Sequence, residues 1–117
     1  MTQIPLKLLR EKEIILKLKT KIHRHPQTAN IDDLVKLAHH YYQMYLISDD
    51  ERSKSLCIGQ ASYYGHWAVS KGYSNVEDIK LFIQYLEIDK AMTNPDDTTE
   101  ENLEFLRKKL ALSKSTP

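Results

Sequence analysis

The chain has 117 residues, with 17 Lys plus Arg against 16 Asp plus Glu, a net charge of +1. That length makes one domain, and the near-neutral balance argues against a nucleic-acid-coating protein and against a disordered acidic tail. The single cysteine, Cys57, excludes an internal disulfide and a multi-cysteine zinc site, and only three Gly and four Pro argue against turn-rich β architecture.

No apolar run approaches the ~20 residues that span a bilayer. No basic-then-apolar leader begins at Met1, so the expected address is the cytoplasm and no membrane partner is expected.

The first helix is predicted over 5–24. Pro5 suits a first helical position, and Leu8, Ile15, Leu18 and Ile22 share a face, flanked by Leu9 and Leu16. Pro26 ends it by biasing His25 away from the helical region. The second is predicted over 31–47, with Asn30 as N-cap and Asp32 and Asp33 in the first turn. Its stripe is Ile31, Leu34, Val35, Ala38, Tyr41, Tyr42 and Tyr45.

The third, over about 50–71 with Ser48 or Asp49 as cap, is apolar around most of its circumference: Leu56, Cys57, Ile58, Ala61, Tyr64, Trp67, Ala68 and Val69. Such a helix is expected at the centre. Gly59 and Gly65 each cost about 1 kcal/mol relative to Ala, which a close approach by another helix along Ala61, Gly65 and Ala68 would offset. Gly72 fits a left-handed position after the last turn.

The fourth helix opens with Ser74 to Glu77 as a capping box and carries two stripes, Val76, Ile79, Phe82, Ile83 and Leu86, and Leu81, Tyr85, Ile88 and Met92. Asn94-Pro95 ends it. The fifth opens with a capping box from Thr98 to Glu101 and carries Leu103, Leu106 and Leu110, and residues 113–117 are expected to fray. Short connections make sequential helices antiparallel. The expected fold is all-α: a single-domain antiparallel bundle of five helices over 1–117, with the third central.

Among chemistry-bearing residues, His23/His25 and His39/His40 lack the spacing that puts two ligands on one helix face. They read as a dipole contact at a helix end and as polar-face positions, and no metal or other cofactor is expected. Cys57 sits between Leu56 and Ile58 and reads as a small core residue rather than a nucleophile. No Gly-x-Ser-x-Gly elbow, phosphate loop or His-Glu-x-x-His occurs, so no catalytic residue is assigned and no enzyme is expected. The acidic pairs fall at predicted helix starts, where dipole and free N–H groups account for them. Most of the seven Tyr and one Trp are expected in the core, with one or two exposed rings available to a partner.

Charge is uneven. Residues 1–26 carry seven basic side chains against two acidic, net +5, leaving −4 for the rest. An up–down topology would place the starts of helices three and five and the end of helix four together. That end would collect Asp49, Asp50, Glu51, Glu87, Asp89, Asp96, Asp97, Glu100 and Glu101, with Tyr45 beside them. Lys7, Arg10, Arg52, Lys54 and Lys90 oppose them there, and Lys19, Lys21, Arg24, Lys71, Lys108 and Lys109 make the other end basic.

In size, helical build, acidic helix starts and the segment Tyr63-Tyr64-Gly65-His66-Trp67, the chain resembles the small helical immunity proteins of bacterial toxin–immunity systems, including contact-dependent inhibition. The resemblance implies that it binds and neutralises a cognate toxin, often a nuclease with a basic active site. It carries no residue role with it. The acidic end is then the expected partner-binding surface. The alternative is a small regulator binding nucleic acid through the basic first helix, at Lys17, Lys21 and Arg24. Against it stand the absence of a helix–turn–helix pair with a basic recognition helix and a pI of about 7.8.

Overall fold

The computed structural model describes residues 6–93 and 97–115. They form five helices, α1 (Leu6–Arg24), α2 (Ile31–Ile47), α3 (Glu51–Ser70), α4 (Val76–Met92) and α5 (Asp97–Ser115), with a single 3-10 turn at Pro26–Thr28. No strand occurs among the described residues. The expected start at Pro5 and the stop at Asn94-Pro95 lie outside them.

Local chemistry explains the boundaries. The Asn30 side chain accepts from the Asp33 N–H, and the Asn75 side chain accepts from the Asp78 N–H at 3.0 Å. The α4 cap is therefore Asn75, one residue beyond the expected Ser74. At α3 the cap is Asp50, not Ser48 or Asp49: its carboxylate accepts from the Ser53 N–H at 2.8 Å and from the Ser53 hydroxyl at 2.9 Å. Gly72 adopts φ 110°. The Tyr73 N–H donates to the Ala68 carbonyl at 3.1 Å and the Gly72 N–H to that of Val69 at 2.9 Å, the paired bonds of a Schellman ending. Helix α5 begins at Asp97, which puts Thr98 inside it rather than at a cap, and continues to Ser115 instead of fraying from residue 113.

Each helix packs against the next in the chain, and α3 touches α2, α4 and α5. The central place expected for the third helix is the one it occupies: Ile58, Ala61 and Ala68 are fully buried, with Tyr64 and Val69 nearly so. Leu56 departs from that pattern and is 62% exposed. The close approach at Gly65 is real. A Cβ there would stand 2.6 Å from two ring carbons of Phe82 on α4. Gly59 has no such neighbour, since a Cβ there would meet only Asp89 Oδ1 at 3.5 Å.

Contacts between alternate helices resolve the bundle into two layers. In one, α1 meets α3 through His23 and Trp67, and α3 meets α5 through His66 and Phe105, whose ring centroids are 4.9 Å apart. In the other, α2 meets α4 where His39 stacks on Phe82 and Tyr42 on Tyr85, with centroids 5.4 and 4.6 Å apart.

Candidate functional site

The polar side chains that the sequence assigned to helix surfaces form cross-links between helices. His39 bonds the Tyr85 hydroxyl through Nδ1 at 2.7 Å and Asp78 through Nε2 at 3.0 Å. The Tyr73 hydroxyl donates to the other oxygen of Asp78. With Asp78 ionised, Nε2–H donates to it, and in the neutral ring Nδ1 then accepts from Tyr85. Burial pushes the Tyr73 hydroxyl up to about 12 and raises that of Tyr85 as well, so both remain protonated donors at neutral pH. His40 Nδ1 stands 2.7 Å from Glu11 on α1, and His23 Nε2 stands 2.7 Å from the Tyr64 hydroxyl. Asp33 is buried and pairs with Lys21 at 3.0 Å.

These contacts correct two expectations. His23, His39 and His40 join helices instead of serving a dipole or a polar face, and Asp33 and Asp78 do more than cap. The histidine contacts are long-range in sequence, so no local pattern announces them; only Tyr73 to Asp78 is local. Among the described residues no three His, Cys, Asp or Glu side chains lie close enough together to hold a metal ion.

The expected acidic end divides into two places. At the α2–α3 corner stand Asp49, Asp50 and Glu51, all exposed. Tyr45 is beside them: Lys54 donates to its carbonyl at 3.0 Å and lies over its ring at 4.7 Å. The Ser53 bonds hold the Asp50 carboxyl below its ordinary range.

The second place is the α4–α5 junction. Glu100 pairs with Lys90, which lowers its pKa, and Glu87 pairs with Arg107 at 3.1 Å. Glu101 is exposed. Asp89 is half-buried, and burial raises its carboxyl. Asp96 lies outside the described residues, as does the Asp97 side chain. A cleft here is lined by Ser62, Tyr63, His66 and Asp89 with Thr98 and Asn102 of α5, and burial lowers His66.

That cleft sets the start of α5 beside the middle of α3. Asp89 approaches Gly59, eight residues beyond Glu51, and the cleft reaches Ser62, eleven beyond, so the two places are about 12–16 Å apart along the α3 axis. The uneven stagger of the helices keeps the acidic groups from meeting at one end. The sequence supplied the antiparallel order, but the axial offset depends on side-chain interlocking such as Phe82 against Gly65.

A groove runs between α1 and α3 with α2 as its floor, a feature the sequence analysis did not single out. It encloses about 350 Å³ and is lined by Leu8, Lys12 and Lys19 of α1, Tyr41 and Met44 of α2 and Leu56 of α3. Cys57, also in its wall, is buried, and burial pushes its thiol up, which favours an inert thiol over a nucleophile.

No protein-family model matches this chain, and neither a curated protein nor a solved structure does. No helix among the described residues is long and apolar enough to cross a membrane.

Proposed function

We propose that this chain is a non-enzymatic protein-binding module that neutralises a partner with a basic surface. A cognate bacterial toxin in the cytoplasm is the partner the sequence resemblance implies. The observation that carries the reading is the α2–α3 corner, where Asp49, Asp50 and Glu51 are exposed and outnumber the adjoining Arg52 and Lys54, the latter lying over the half-buried Tyr45. Concentrated negative charge steers a basic partner and raises its association rate. Tyr45 is half-buried with Lys54 already over its ring, so it adds a modest apolar anchor rather than a free cation–π face. The carboxylates at the α4–α5 junction contribute less, because Glu87 and Glu100 are already paired with Arg107 and Lys90.

The test is reversal of the two corner charges that do not cap a helix, Asp49→Lys with Glu51→Lys. Asp50 is left in place because it holds the first turn of α3. The partner is first identified by capture on the native chain, then its association with native and reversed chains is compared across a salt series. Slower association and a flatter salt dependence for the reversed chain support the reading. Unchanged association counts against it.

A further inference from the structure

We infer that the groove between α1 and α3 is a docking site for an acidic amphipathic helix of a partner protein. One end of the groove adjoins the acidic corner at Ser48 and Ser53, and the inference does not rest on the toxin reading.

The argument starts from the two-layer packing. Helices α1 and α3 both lean on α2 and run side by side in the same direction, as the His23–Trp67 contact near both C-terminal ends shows. Two parallel cylinders over a third leave a trough, and here Leu8, Tyr41, Met44 and Leu56 give it an apolar strip, edged by Ser48, Ser53 and Gln60. Leu56 stands 62% exposed on the rim, on the most buried helix of the fold. On α1 the trough extends at least from Leu8 to Lys19, eleven residues or about 16 Å, the length of three helical turns. A helix laid in such a trough presents anchors at i, i+3 or i+4, and i+7.

Charge selects the occupant. Lys12 and Lys19 line the groove seven residues apart, on one face of α1. Neighbouring lysines on the same helix are engaged: Lys17 with Glu13 at 3.3 Å and Lys21 with Asp33 at 3.0 Å. Lys12 and Lys19 take part in no ion pair among the described residues. No carboxylate among the described residues lines the groove itself; Asp50, bonded to the lining Ser53, stands at the end near the α2–α3 corner, and Lys19 lies toward the other end. A helix with an apolar stripe and Asp or Glu about two turns apart beside it satisfies both the trough and its lysine rim.

The experiment selects binders to the full-length chain from a displayed library of helical peptides, with both acidic and basic residues allowed at the flanking positions. The strongest binders are then titrated by fluorescence anisotropy. The expected result is enrichment of peptides carrying i, i+3 or i+4, i+7 apolar anchors and flanking carboxylates, with affinity that falls as salt rises. Lys12→Glu with Lys19→Glu weakens them at least tenfold, and so does Leu56→Asp. Both changes are at accessible positions, and far-UV circular dichroism checks that helix content is kept. Lys12→Gln with Lys19→Gln serves as the milder pair, with a smaller loss expected. Failure of the library to yield a groove-dependent binder overturns the inference. So do enrichment of basic peptides, binding indifferent to the lysine and leucine changes, and displacement of bound peptide by a homopolymeric RNA that needs Lys12 and Lys19.

Discussion

Replacing Gly65 with Ala tests the packing of the central helix with one methyl group. At an open helix position the change is favourable by about 1 kcal/mol, because Gly costs that much relative to Ala. At Gly65 the new Cβ would lie 2.6 Å from Cγ and Cδ1 of Phe82 and 3.2 Å from its Cβ. Carbon pairs pack at about 3.5–4.0 Å, so the ring must withdraw by about 1 Å. It has little room to do so: Phe82 is fully buried and stacks on His39 with centroids 5.4 Å apart. Overpacking of this kind costs about 1–3 kcal/mol, and the rigid surroundings place it at about 2–3. The net expectation is a loss of about 1–2 kcal/mol, a fall of about 5 °C in Tm. Gly59→Ala is the internal control, since its Cβ meets only an ordinary contact with Asp89 at 3.5 Å. It is expected to stabilise by up to about 1 kcal/mol. Urea unfolding followed by circular dichroism and by Trp67 fluorescence measures both. If Gly65→Ala proves as stable as Gly59→Ala, the proposed crossing of α3 and α4 at Gly65 is wrong. A Phe82→Ala background should erase most of the Gly65 penalty, which ties the cost to that ring.

Two further outcomes follow from the ionised groups. Lys21→Ala strips the partner from buried Asp33 and is expected to cost about 1 kcal/mol or more. Lys17→Ala removes an exposed pair with Glu13 and should cost less than about 0.5 kcal/mol, so equal effects in denaturation would contradict the burial argument. Asp89 gives a pH signature. Its carboxyl is raised by burial, so the folded chain holds that proton more tightly than the unfolded chain. Stability from this group is therefore present below the unfolded pKa, about 4, and is lost as pH rises through the folded value. Asp89→Asn should gain on the native chain in Tm between about pH 4 and pH 7, and a gap that stays flat or closes would refute the assignment.

Legibility in the sequence divided along the range of the interactions. Asn30 and Gly72 act within a few residues, and their roles could be read from their neighbours. At Ser48-Asp49-Asp50 three capping residues stand in a row, and the winner is the one whose carboxylate reaches both groups of Ser53. Asn75 overtook Ser74 for the same local reason. The central place of α3 was visible because an all-round apolar helix has to be covered on all sides. His39, His40 and Tyr64 were not legible, because their partners Asp78, Glu11 and His23 lie on other helices. The layout of the expected acidic end was not legible for a third reason. Helix order fixes which ends are neighbours, whereas their axial offset comes from interlocking side chains. That offset separates Asp49 and Glu51 from the α4–α5 carboxylates along α3.

The central claim is that the corner formed by Tyr45, Asp49 and Glu51 recognises a basic protein. Its most direct test is the association rate of the captured partner with the native chain and with the Asp49→Lys, Glu51→Lys chain, from low to physiological salt. The account predicts a one-to-one complex whose association is about tenfold slower for the reversed chain at low salt, with the two rates converging as screening grows. Equal rates at every salt concentration, or a partner that proves to be nucleic acid held through Lys17, Lys21 and Arg24, would contradict it.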